Sequence, residues 1–242
     1  MCGRYALSKL PAELIEEFEI HTGKSLLNSL IPADWNIAPT KQIYLIKHDS
    51  DHQRELSTAS WGLIAPWSKS IPDAVKSQSI AINARTESVD EKPTFRGAFR
   101  SRRCLIPADG YYEWATELGA PAKQPFYISN TENKTLAFAG IWDRWVAPNG
   151  EILDSAAIIT REAVSPLAEI HHRMPTFLPK DRWDAWLDPD LQDVKQIRAL
   201  MDVAAPAKGL QAHPVCRDVN LVRNNGAYLT LPIELGEPET LF

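Results

Sequence analysis

The residues best suited to covalent chemistry stand at the very start of the chain, Met1-Cys2-Gly3-Arg4. Cys2 is small enough for Met1 to be removed by ordinary N-terminal processing. That would leave a free α-amine and a thiol on adjacent carbons, a pair no internal cysteine offers. The amine condenses with an aldehyde to an imine, and the thiol then closes a five-membered thiazolidine ring. The free groups have pKa values of about 7.7–8.0 and about 8.5, so both keep reactive populations near neutral pH.

Four further side chains stand away from obvious core positions: Asn36, Asn83, Glu113 and His171. Glu113 lies in Tyr111-Tyr112-Glu113-Trp114, where strand alternation puts Tyr111 and Glu113 on one face and Tyr112 and Trp114 on the other. A half-buried carboxyl in an aromatic strand has a raised pKa, which suits proton transfer; facing water on an edge strand, it would be ordinary. An acid, a histidine and amides around an aminothiol suit imine chemistry: the acid protonates a carbinolamine hydroxyl so that water leaves, and a base takes the proton of the incoming group. Other chemistries find less support. His171 and His172 are neighbours without an HxxxH spacing, and the three cysteines, Cys2, Cys104 and Cys216, have no CxxC spacing, which argues against a metal. There is no GxSxG elbow and no glycine fingerprint for a dinucleotide, so no cofactor is expected.

The elements that must position these groups read mainly as strands. Residues 8–20 are expected to be a helix, with Leu14, Ile15 and Phe18 on one face. Gln42–Lys47 and Leu56–Leu63 form a hairpin, and residues 68–79 are polar without clear periodicity. Ile80–Arg85 is a short strand, Cys104–Pro107 a buried one, and Pro125–Ser129 with Leu136–Trp142 a second hairpin. Ser155–Thr160 is a further strand, Ser165–Ile170 a short helix, 180–188 and 191–202 structural helices, and His213 opens a late strand. Strands joined by short turns predict an antiparallel sheet or barrel, not βαβ units. Thr94–Arg103 is the most basic stretch, with Arg96, Arg100, Arg102 and Arg103 around Phe95 and Phe99. It reads either as a solvated helix face with two core anchors or as a phosphate-contacting surface.

The length of 242 residues is ample for a real core, and the composition, 44% hydrophobic and 24% charged, is that of a globular protein. A net charge of −5 argues against indiscriminate polyanion binding while leaving room for a local basic site. Eight tryptophans supply core and, where exposed, stacking surface for bases. No apolar run spans a membrane and no secretory segment is visible, so a cytoplasmic protein is expected, nucleoid-associated when bound to DNA. Nothing signals oligomerisation, and a monomer is expected.

Seven motifs in order, Met1-Cys2-Gly3-Arg4-Tyr5, Trp35-Asn36-Ile37-Ala38-Pro39, Trp61-Gly62, Ile82-Asn83-Ala84-Arg85, Asp109-Gly110-Tyr111-Tyr112-Glu113-Trp114, Ile170-His171-His172-Arg173-Met174-Pro175 and His213-Pro214-Val215, resemble the SRAP family of abasic-site processing proteins. Each motif alone is weak; together they cover nearly the whole chain. The resemblance implies one α+β domain over residues 1–226, built around an open, barrel-like, mainly antiparallel sheet with peripheral helices, and a short acidic tail over 227–242. It implies that Cys2, freed of Met1, forms a thiazolidine crosslink with the ring-opened aldehyde of an abasic site in single-stranded DNA, as at replication forks, and so shields the lesion. Asn83, Glu113 and His171 match the family's catalytic asparagine, glutamate and histidine. Arg4 and Arg85 resemble its phosphate clamps, Asn36 and Trp67 the residues that hold the unstacked nucleotide, and Thr160 is a further carry-over. Two other readings remain open: an N-terminal-nucleophile peptidase or amidase that removes its own Met1, and a non-catalytic single-strand binding module using Trp67, Tyr111 and the arginines.

Overall fold

The computed structural model describes residues 2–20, 31–116 and 123–235. Twelve strands within them form two sheets. Five strands close on one another: β3 (Gln42–His48), β4 (Arg54–Trp61), β6 (Arg103–Ala108), β9 (Leu136–Val146) and β10 (Ile152–Glu162). Antiparallel pairings run β4–β3–β6–β9–β10, and a parallel pairing of Ser155 and Ala156 in β10 with Ser60 and Trp61 in β4 completes the ring. The expected open barrel is thus closed, because two strands far apart in sequence meet in parallel. Short strands β5 (Asn83–Arg85) and β11 (Arg173–Pro175) hang on β10, parallel and antiparallel respectively.

The second sheet runs β12 (Leu210–Pro214), β8 (Gln124–Asn130), β7 (Gly110–Ala115), β1 (Tyr5–Leu7), β2 (Asp34–Ile37). Its alternation sorts side chains between two cores. Tyr5, Leu7, Tyr111 and Ile128 point into the main core against the barrel. Ala6, Tyr112 and Tyr127 point the other way, onto Val215, Val219 and Leu229. Leu229 is fully buried although it lies past residue 226. The acidic residues from 236 onward lie outside the described residues.

The architecture is the α+β one expected, mainly antiparallel, with two local corrections. β8 and β9 do not form a hairpin: β8 pairs with β7 and β12, and β9 with β6 and β10. The chain changes sheets between them, held where Glu17 accepts hydrogen bonds from the Thr135 N–H and hydroxyl at 3.1 and 2.6 Å. Residues 71–79, unassigned from periodicity, form helix α2 (Ile71–Ile80), with the Ser70 side chain accepting from the Asp73 N–H; the helix also takes Ile80, so the strand expected over Ile80–Arg85 shortens to β5. The signal is faint because only Ala74 and Gln78 are buried. The other helices are α1 (Pro11–Glu17), α3 (Pro93–Ser101), α4 (Trp183–Leu187) and α5 (Val194–Met201). Among the described residues, no helix is long and apolar enough to cross a membrane.

Gly62 ties the ring to α2. Its φ of +123° is a region side-chain-bearing residues avoid, and a Cβ there would overlap the Gln78 carbonyl. Gly62→Ala is expected to lower stability by about 2 kcal/mol or more. Gly150→Ala, at φ +85° with open space around it, should cost about 1 kcal/mol. Denaturant titration of the two variants checks that order.

Candidate active site

Cys2 enters on β1, and β1 lies antiparallel to β7 with Tyr5 opposite Tyr111 and Ala6 opposite Gly110. Extending that register by two residues places Glu113 across from Gly3, beside Cys2. Asn83 arrives from the barrel side, because β5 pairs with β10 at Ile158. Its Nδ2 donates to the Cys2 carbonyl at 2.7 Å, while its Oδ1 is buried with no hydrogen-bond partner among the described residues. His171 follows the turn at Leu167–Glu169, and its Nδ1 lies 3.8 Å from Glu113 Oε1. The structure therefore brings Cys2, Asn83, Glu113 and His171 together from four separate segments.

The electrostatics of the group follow from burial. Cys2 is fully buried. Desolvation pushes its thiol well up, and the nearby Glu113 carboxylate pushes it further the same way. Glu113, on the main-core face of β7, is 4% exposed, and burial pushes its carboxyl up to about 7. A carboxyl poised near neutrality can both give and take a proton. Burial pulls His171 down, so it is neutral there. The Arg173 main-chain N–H and C=O lie 3.0 and 3.2 Å from His171 Nδ1. Both main-chain groups converge on Nδ1 and hold the orientation of the ring.

The pattern of spacing did not point to the support beneath His171. Arg173, in the same His-His-Arg-Met-Pro run, is 6% exposed and bidentate to Glu87 at 2.6 and 3.0 Å. Its guanidinium also donates to the Thr160 carbonyl at 2.6 Å. One buried arginine thus fastens the segment after β5, strand β10 and the His171 loop. Thr160 itself is buried, with its hydroxyl 3.4 Å from the Ala84 carbonyl.

The remaining candidates lie elsewhere. Arg4 donates to Asn36 Oδ1 at 2.7 Å and to the Val219 carbonyl at 2.8 Å, on the face of the sheet opposite Glu113. Asn36 is fully buried, its Nδ2 donating to the carbonyls of Val219, Leu221 and Asn224. Arg85 is exposed at the end of β5, and Trp67 is 57% exposed. Among the described residues, His52, Asp188 and Asp190 could hold a cation, but they sit on the β3–β4 turn and after α4, on none of the segments that carry the Cys2 group.

A buried carboxyl with a raised pKa binds its proton more tightly in the folded chain than in the unfolded one. Stability therefore falls as pH rises from about 4.5 towards about 7, by up to about 3 kcal/mol. Glu113→Gln removes this loss. Denaturant unfolding across pH 4–8 should show wild type losing ground to Glu113→Gln through that window and running parallel to it above.

The family described as SOS response associated peptidase (SRAP) matches residues 1–222. The abasic site processing protein YoqW of Bacillus subtilis is 35% identical over 229 residues, covering 95% of this chain and 98% of that one. The abasic site processing protein HMCES of Gallus gallus is 34% identical over 220 residues, 80% of this chain and 62% of that longer one. A crystal structure of a protein from Bacteroides thetaiotaomicron superposes with a TM-score of 0.84 at 26% identity, over 96% of this chain and 100% of that one.

Proposed function

The chain belongs to the SRAP family, and we propose that it processes abasic sites in single-stranded DNA by forming a covalent thiazolidine at Cys2. The observation that carries the proposal is the placing of Glu113, 4% exposed and with its carboxyl pushed up by burial to about 7, beside the buried Cys2. The names of the relatives, abasic site processing proteins, support the same substrate.

The chemistry requires Met1 to be removed, since an amide nitrogen is not a nucleophile. The freed Cys2 amine adds to the aldehyde carbon of the ring-opened sugar and gives a carbinolamine. Glu113 protonates its hydroxyl, water leaves, and an imine forms. The thiol then adds to the imine carbon and its proton passes to the nitrogen, closing the ring with net loss of one water. Proton loss from the buried thiol is unfavourable, so Glu113, now the carboxylate, is the base that takes it. His171, a neutral imidazole, assists opening of the deoxyribose ring and reversal of the crosslink. Asn83 holds the first residue through its carbonyl and keeps Oδ1 for a sugar hydroxyl or the amine.

Recognition of the DNA is assigned to Arg85 and Trp67 at the surface, with Arg4 as a phosphate contact set in place by Asn36. Thr160 supports the His171 side of the site through Arg173. Stacking and phosphate contacts of this kind are tolerant of sequence. The peptidase in the family's description favours a second reading, self-removal of Met1 by the same groups. As a main activity it predicts amide turnover without DNA.

The test is a denaturing gel of the protein with single-stranded DNA carrying one abasic site. Wild type is expected to give a heat-stable shifted band, and Cys2→Ala none while still binding the DNA. Undiminished crosslinking by Cys2→Ala would overturn the mechanism. Glu113→Gln is expected to slow the band about 10²-fold without abolishing it. The wild-type rate should fall above about pH 7 as Glu113 ionises, and that limb should vanish in the variant.

A further inference from the structure

The basic stretch around α3 divides into two kinds of cation. Arg102 is paired with Asp143 at 2.9 Å. Arg103 is 2% exposed and donates to the carbonyls of Phe99, Arg100, Trp186, Asp188 and Leu191, gathering the ends of α3 and α4. These two hold the fold together. Lys92, Arg96 and Arg100 are different: all three are exposed, and none has a carboxylate partner among the described residues. Arg54, Arg144, Arg173 and Arg198 each have one. In a chain of net charge −5, three unpaired cations in a row are not a by-product of basic composition.

Their spacing makes a slowly winding line. Four-residue steps on a helix advance about 6 Å, so the row is about 12 Å long. It is held rigidly, because Phe95, Ala98 and Phe99 are buried on the adjoining face and the Phe99 ring packs edge-on to Trp186 at 6.2 Å. An exposed aromatic lies near its N-terminal end. Thr94, on the first turn of α3, lines a surface cavity of about 430 Å³ together with Trp67, Lys69 and Lys76, with Asp73 the acid present. Arg85 ends β5 seven residues before Lys92.

We infer that Lys92, Arg96 and Arg100 form a track for the phosphate backbone of the DNA flanking the lesion, entered past Trp67, Lys69 and Lys76. The inference rests on the abasic-site reading for its partner. A rigid row of unpaired cations meets phosphates by charge and not by sequence, and each phosphate neutralised releases counterions. The track therefore sets affinity and its salt dependence, while the bond-forming rate is set at Cys2.

The test is a triple variant, Lys92→Gln/Arg96→Gln/Arg100→Gln, read by fluorescence anisotropy with undamaged oligonucleotides over a salt series. Single-stranded, duplex and junction oligonucleotides are compared to show which part of the DNA lies on the row. The slope of log K against log salt should fall by about 2–3, at about 0.7–0.9 per phosphate contact, on at least one of them. Arg96→Lys/Arg100→Lys, which keeps the charges, should retain the wild-type slope. At saturating abasic DNA, the crosslinking rate of the triple variant should equal that of wild type. An unchanged slope on all three oligonucleotides overturns the track, as does loss of slope in the Lys variant. Because undamaged DNA is the probe, failure of crosslinking in wild type would sink the covalent reading and leave the track's test standing.

Discussion

Burial of one carboxyl is the constraint on which the site depends. Glu113 on the surface would be an ordinary carboxylate, ionised at neutral pH and useless as an acid. Held at 4% exposure on the inner face of β7, it keeps its proton to about pH 7. The same burial raises the Cys2 thiol and keeps His171 neutral. A dry site therefore supplies three groups that exchange protons with one another more readily than with water. The cost is a thiol that does not ionise unaided, which is why the proposed mechanism needs a base beside it.

The two sheets exist, in this sense, to deliver strands to that spot. β1 brings Cys2 along β7, and the barrel brings Asn83 through β5 and His171 through the approach to β11, both hung on β10. Arg173 fastens the barrel side, tying Glu87, Thr160 and the His171 loop with one guanidinium. Its main-chain N–H and C=O also orient the imidazole. Arg103 does the same work further out, where α3 and α4 end on the barrel. Paired arginines of this kind build the fold, and unpaired ones are left for a partner.

Much of this was legible in the sequence. The period of two in Tyr111-Tyr112-Glu113-Trp114 gave the correct faces, with Tyr111 in the main core and Tyr112 in the smaller one. The β3–β4 hairpin and the α1, α4 and α5 helices were readable from local periodicity. What was illegible depends on pairings between distant residues. Closure of the barrel needs β4 and β10 in parallel, which no local pattern encodes. β8 and β9 read as a hairpin because their separation suits one, yet each finds its partners elsewhere. α2 buries too little apolar surface to show a stripe. Within the site, the Asn83–Cys2 hydrogen bond and the Glu87–Arg173 pair join residues about eighty apart and were likewise invisible. Asn36 stood out as a polar residue, but its type alone could not reveal that its amide is spent on three carbonyls.

The central claim is that one carbon of the abasic sugar becomes bonded to both the nitrogen and the sulfur of Cys2. Intact and tandem mass spectrometry of the purified adduct, with and without borohydride, tests it most directly. The account predicts protein lacking Met1 plus DNA minus one water, with the modification on Cys2 and no mass gained on reduction, since a thiazolidine has no C=N bond. An adduct that gains two hydrogens, maps to a lysine, or retains Met1 would contradict it.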